Sequence, residues 1–236
     1  MPHLLARCFA LSCALSFAFG CTQSVESTDI RTTGIYPEIT VTATGSGTSK
    51  VEVALKVGGS SSNTYLDLTG EDQLKATVGG TAKVLDDVGS HTYAASFPVD
   101  EEGTEFVISF LRGKIDENAP ASTVSLPAPF DLTLAPTEAS RATDPIELTW
   151  DPPATGNVRW DIDGDCIKID SGTTPDDGMQ ALAAGSIETF ESDKDKSCTV
   201  GLDLTRSQSG EIDPAFTEGG SIVARQIRSA SFTSNP

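Results

Sequence analysis

The chain has 236 residues, in which 34 Asp and Glu outweigh 16 Lys and Arg to give a formal net charge of −18. A surface this acidic repels phosphate backbones, which excludes nucleic acid as a partner, and it provides no basic patch to grip anionic lipid directly. Only 6% of residues are aromatic and the chain holds two histidines, so sugar-stacking platforms and histidine-based sites start short of material.

The first stretch with a pattern is Cys8 to Cys21, CFALSCALSFAFGC. Its apolar core, Cys8 to Phe19, is 12 residues long, preceded by Arg7. That is too short to span a bilayer and suits the core of a signal peptide over residues 1–20. Ala18-Phe19-Gly20 before Cys21 allows ordinary cleavage at a small-x-small site, with Cys21 left as a thiol. The same residues resemble the bacterial lipoprotein signal, in which Gly or Ala precedes a Cys that receives a diacylglycerol. Gly20 and Cys21 match that pattern, whereas Ala18 stands where Leu is usual and Phe19 is bulkier than usual. The resemblance implies export to the cell envelope, lipidation of Cys21, and a membrane partner reached through the acyl chains, each buried CH₂ adding about 0.8 kcal/mol. Thr22 after the lipidated position, rather than Asp, resembles lipoproteins passed on to the outer membrane. Residues 21–35 read as the lipidated Cys followed by a polar, Ser/Thr-rich flexible tether.

From Tyr36 the period becomes two. Ile39, Val41 and Ala43 alternate with threonines, Gly45-Ser46-Gly47 turns, and Val51, Val53, Leu55 and Val57 alternate with more polar residues. Shorter strands follow at Tyr65–Leu68, Leu74–Val78 and Thr81–Leu85, the last two joined by Gly79-Gly80. Tyr93, Ala95 and Phe97 line one strand face, Phe106, Ile108 and Phe110 the next, and Ser122–Leu126 closes the series. Strands this short with Gly-rich turns predict a sandwich or barrel of about eight strands, read as a first β-sandwich over residues 36–126. Leu126-Pro127-Ala128-Pro129 is an extended connector, since two prolines in four residues do not fit inside a sheet.

Residues 127–236 repeat the β logic. Ile146, Leu148 and Trp150 face one way before Asp151-Pro152-Pro153 stops the strand. Val158, Trp160 and Ile162 share a face, as do Cys198, Val200, Leu202 and Leu204. A last strand runs through Ile222–Phe232, its alternation disturbed at Arg225-Gln226 as by a bulge. Leu148-Thr149-Trp150-Asp151-Pro152-Pro153 resembles the second strand of fibronectin type III and related immunoglobulin-like domains, with an inward Trp before a Pro-ended turn. The resemblance covers about residues 128–233. It departs in its cysteines, because Trp150 occupies the strand where an antibody-type domain has its first Cys. The expectation is an all-β protein: two tandem antiparallel β-sandwich, immunoglobulin-like domains after a signal peptide and a tether.

Cys166 and Cys198, an even pair in an exported chain, predict a disulfide, against the alternative of two buried free thiols. Asp161-Ile162-Asp163-Gly164-Asp165 is the sharpest cluster for a metal. Asp161, Asp163 and Asp165 have the alternate spacing that opens an EF-hand loop, so calcium is the one cofactor to consider. Cys166 stands where that loop needs Gly and Gly172 where it needs Glu, which favours a solvated hairpin tip. Asp176-Asp177-Gly178 reads as a turn. His91, in phase with Tyr93, reads as a half-buried strand residue, and there is no G-x-S-x-G elbow. The function expected is a membrane-anchored envelope lipoprotein acting as a non-catalytic binding or structural module, with envelope proteins or an extracellular ligand as candidate partners. Two rival readings fit the same residues: a lipid-anchored hydrolase working through carboxylates, and a calcium-stabilised adhesion module.

Overall fold

The computed structural model describes residues 23–113 and 116–236. The signal segment 1–20 and Cys21 lie outside the described residues.

The first strand, β1 (Gln23–Glu26), leads through two 3-10 turns into β2 (Ile35–Ala43) and β3 (Ser49–Val57), an antiparallel hairpin. Its alternation is clean: Ile35, Ile39, Val41 and Ala43 on β2 and Val51, Val53 and Leu55 on β3 are all buried. Next come β4 (Thr64–Asp67), β5 (Asp72–Val78), β6 (Thr81–Val84), β7 (Asp86–Asp87), β8 (Tyr93–Phe97), β9 (Glu105–Arg112) and β10 (Ala119–Ser125). Strands β10-β9-β5-β6 form a separate sheet that packs on β2 and β3. Leu74, Ala76, Phe106, Ile108 and Phe110 fill the space between the two sheets.

Beyond the prolines lie β11 (Asp131–Ala135), β12 (Glu138–Ser140), β13 (Ile146–Asp151), β14 (Asn157–Asp163), β15 (Asp170–Pro175) and β16 (Met179–Leu182). The chain ends in two long strands, β17 (Cys198–Ser209) and β18 (Ser221–Asn235). The three-stranded sheet β11-β13-β16 faces β15-β14-β17-β18 across a second core built on Leu148, Trp150, Val158, Ile162, Val200, Leu202 and Phe232.

The fold is therefore all-β and sandwich-like, but it does not divide the chain as its sequence order suggests. One eleven-stranded sheet, with the path β1-β4-β3-β2-β18-β17-β14-β15, runs through both cores. The join is β18, whose first half pairs parallel with β2 (Ile222 with Ile39, Ala224 with Val41) while its second half serves the second core. Residues 210–226 thus return to the first core although they follow the Pro127-Pro129 boundary. Phe216 stacks on Phe110 with 6.3 Å between ring centroids, and Thr123 and Glu211 exchange backbone hydrogen bonds of 2.8 Å. The sheets are also mixed rather than purely antiparallel, because β1–β4, β2–β18 and β12–β18 pair in parallel.

Two local expectations are corrected with a physical reason. The described part of the expected tether, residues 23–35, is folded: β1 pairs with β4, and Ser27 and Thr32 are fully buried. A short, polar, aperiodic segment reads as coil, but its polar groups are matched by partners far along the chain: the Thr32 N–H donates to Asp116 Oδ2 and its hydroxyl to the Glu117 carbonyl. The expected bulge at Arg225-Gln226 is absent, since β17 and β18 pair without a register shift from Cys198↔Ser234 to Ser209↔Val223. Gln226 is fully buried in the inward phase of Ile222 and Ala224, and its amide donates to the Asp100 carbonyl at 2.8 Å. A polar residue in an inward slot imitates a break in the pattern.

Candidate functional site

The side chains that organise the molecule are three buried arginines, each at a place where the chain must be pinned. Arg206 occupies the inward phase of β17 after Val200, Leu202 and Leu204. It meets the buried Asp176 carboxylate through Nε at 2.5 Å and Nη2 at 2.7 Å, and donates to the carbonyls of Ala128 (2.8 Å) and Pro152 (3.0 Å). Trp150 completes the cluster, its Nε1 donating to Asp176 at 2.7 Å. Burial alone would raise the Asp176 carboxyl, but the bonds from Arg206 and Trp150 outweigh it and hold the group below the usual carboxylate range. So the turn Asp176-Asp177-Gly178 does more than reverse the chain, and the proline connector is tied to the sheet at Ala128.

Phe130, the next buried residue, lies under two guanidinium groups, those of Arg206 at 4.8 Å and Arg228 at 5.3 Å from the ring centroid. Burial pushes Arg228 below the usual arginine range. Its guanidinium reaches the β2–β3 turn, where a Cβ on Gly45 (φ +76°) would stand 2.8 Å from Arg228 Cζ. Only glycine meets both demands there, the left-handed backbone and the close approach. The junction between the cores is thus filled and bonded rather than open.

Arg112 does the same for the N-terminal segment. It extends the inward row Phe106, Ile108, Phe110 on β9 and donates to the carbonyls of Ile30 (2.8 Å) and Ser27 (2.7 Å). Asp72 Oδ2 lies 3.0 Å from Arg112 Nε, an ion-pair distance. The N–H does not point at it, so both Asp72 oxygens and Nε have no hydrogen bond. Arg141 grips the far end of the molecule, donating to the carbonyls of Lys194 (3.0 Å), Lys196 (2.9 Å) and Ser234 (3.3 Å) and to the Cys166 sulfur at 3.4 Å.

The predicted disulfide Cys166–Cys198 is present, with a Cα–Cα distance of 5.8 Å. It ties the turn after β14 to the start of β17 across a sequence separation of 32. In the chain-entropy picture a loop of that size contributes about 3–4 kcal/mol. The Cys166→Ser/Cys198→Ser variant is expected to lose that much in chemical denaturation, and an unchanged midpoint would contradict the assignment.

Asp161, Asp163 and Asp165 are not brought together as a ligand set. Among the described residues no group of three or more His, Cys, Asp or Glu side chains is placed to hold a metal ion. Asp161 is engaged by Arg159, whose Nη2 lies 2.6 Å from Oδ1, and Asp163 and Asp165 are exposed. Gly172, where a calcium loop would need Glu, faces Trp160 across the β14–β15 pair, and a Cβ there would lie 2.5 Å from the indole. The melting temperature is accordingly expected to be the same in chelator and in millimolar calcium; a rise with calcium concentration would restore the metal reading.

His91 lies in a left-handed turn with Ser90 (φ 58° and 53°), not in the strand where its phase with Tyr93 placed it. Its Nδ1 is 3.1 Å from Asp67 Oδ1 and its ring stacks on Tyr65 at 5.0 Å. A hydrogen bond from Ser24, together with the His91 contact, holds the Asp67 carboxyl below its usual range against the effect of burial. The imidazole is therefore bonded to a carboxylate rather than to a nucleophile. One surface depression is lined by Lys168, Ile169, Asp170, Ser186 and Glu188. Among the described residues no helix is long and apolar enough to cross a membrane.

Sequence reasoning missed all three arginines, although Arg112 and Arg206 stand in the inward phase of strands it had already found. No protein-family description matches the chain, and neither does any curated protein. Among solved structures, a two-domain fibronectin type III segment from chicken tenascin is similar at 11% identity, covering 85% of this chain and 99% of that one, with a TM-score of 0.27. That superposition is loose, and the strand pairing above, not the likeness, describes the fold.

Proposed function

We propose that the protein is a lipid-anchored lipoprotein of the bacterial envelope, directed to the outer membrane, that works as a non-catalytic binding or structural module. The anchor is supported by Gly20-Cys21 at the end of a 12-residue apolar run. The module reading is carried by one observation, the unbroken β17–β18 ladder that serves both cores. A ladder braced by Arg206 and Arg228 at the junction suits holding one end of a molecule at a set distance from the other. The second core, three strands facing four around an inward Trp150, supports an immunoglobulin-like sandwich as its type, an architecture that hosts many binding roles.

The test is labelled palmitate incorporation and membrane fractionation in a bacterial host. The wild type is expected in the membrane fraction with label, and Cys21→Ser is expected unlabelled and released. Retention of Cys21→Ser in the membrane, or no label on the wild type, would contradict the anchor. Crosslinking in the same cells tests the module role, which expects a reproducible envelope partner that disappears with Cys21→Ser.

A further inference from the structure

Cys21 precedes the start of β1 at Gln23 by two residues, a reach of about 7 Å at most. Gln23 is already fixed to the body. Its N–H donates to the Asn63 carbonyl at 3.2 Å, β1 pairs along β4, and Arg112 holds the carbonyls of Ser27 and Ile30 just behind it. An acyl group on Cys21 would therefore be attached to the folded sheet with almost no slack.

Strand order then sets which end of the molecule that is. Gln23 pairs level with Thr64, β4 meets the end of β3 at Lys56↔Tyr65, and Val57 pairs with Ile35 at the start of β2. Ser221, the first residue of β18, pairs with Glu38 three residues further along β2. From there β18 leads away to Asn235, 15 residues in all, or about 46 Å of extended strand. At its far end lie the disulfide, through the Cys198↔Ser234 pair, and the 191–197 loop held by Arg141.

From these placements we infer that the protein stands on a lipid surface with one fixed polarity. The end of the first core carrying the Gly58–Asn63 loop faces the bilayer, and the disulfide end of the second core is held outermost. The inference rests on the anchoring reading above and adds the surface that meets the lipid. Gly58-Gly59-Ser60-Ser61-Ser62-Asn63 has no charged side chain, in a chain of net charge −18, so this loop meets anionic headgroups without repulsion of its own.

The test uses the purified, lipidated full chain on phosphatidylcholine vesicles containing a nitroxide-headgroup lipid. A fluorophore is placed on Ser61→Cys or on Ser192→Cys, both exposed positions, the first in the inner loop and the second in the outer one. The inner probe is expected to be quenched several-fold more than the outer. Inserting 16 Gly/Ser residues before Gln23, a coil of about 22 Å root-mean-square length, is expected to shrink that difference. Equal quenching on firmly bound protein, or stronger quenching at Ser192, would overturn the polarity while leaving the anchor intact. Failure of the lipidated chain to bind vesicles at all would instead overturn the anchoring reading, and the polarity with it.

Discussion

Replacing Arg206 with Met is expected to lower the unfolding free energy by about 3–5 kcal/mol, because it strands a buried carboxylate. Asp176 is 2% exposed and receives its side-chain bonds from Arg206 and Trp150, so the variant leaves the charge with only the indole N–H and the Ala154 backbone N–H. The carbonyls of Ala128 and Pro152 lose a donor in the same step. The pH dependence gives the mechanism a signature. In the wild type the folded-state carboxyl is depressed, so its contribution is present above the unfolded value near 3.9 and lost as pH falls through the lower folded value. Without Arg206 burial dominates and the folded-state value rises above 3.9. The variant then regains stability as pH falls through that raised value. The gap between the two proteins is therefore expected to narrow in acid, read by denaturant midpoints from pH 7 down to pH 4. A gap that stays constant or widens would mean that packing loss, not a stranded charge, sets the cost. The double variant Arg206→Met/Asp176→Leu is expected to lose less than the two single variants summed.

Replacing Arg112 with Met is expected to cost a similar amount, again about 3–5 kcal/mol, but to show it in a different place. Arg112 is fully buried with Asp72 beside it, and it is the donor to Ser27 and Ile30. Its removal both leaves Asp72 buried without a cation and frees the segment that joins β1 to β2. Amide exchange in residues 23–34 is expected to approach that of an open segment, while β2 and β3 keep protection up to the reduced global limit. Uniform loss of protection across the first core would contradict a local clamp. Asp72 accepts no hydrogen bond, so Asp72→Asn is expected to be milder than Arg112→Met.

Much of the fold is legible in the sequence because its strands obey the period of two. Ile39/Val41/Ala43, Val51/Val53/Leu55 and Phe106/Ile108/Phe110 are buried in the phase their spacing dictates. The same phase pointed to Arg112, Arg206 and Gln226. These continue apolar rows inward, but a reading that stops each strand at its last apolar residue treats them as strand ends or bulges. Their partners are not local: Arg112 meets Ser27 across 85 positions and Arg206 meets Ala128 across 78. Periodicity carries no information about such pairs. The parallel pairing of Ile39 with Ile222 is hidden for the same reason, since nothing near β18 distinguishes a strand that closes one sandwich from one that serves two. The disulfide was within reach because Cys166 and Cys198 are the even pair that remains after Cys21 in a chain read as exported. For the aspartates from 161 to 165 the sequence favoured a solvated hairpin tip over a calcium loop, but spacing alone did not tell that Arg159 would engage Asp161.

One shared sheet and a bonded junction are expected to make the two cores a single cooperative unit. That expectation is tested most directly by following denaturant unfolding with two local probes. Trp150 and Trp160, the only tryptophans, both pack in the second core, so fluorescence excited selectively in tryptophan reports on that core, away from the tyrosines of the first. Amide exchange of β2 and β3 reports on the first. Coincident transitions with one midpoint are what a shared β17–β18 ladder predicts. Two separated midpoints, with the second core melting while β2 and β3 stay protected, would contradict it and return the protein to two independent domains on a proline connector.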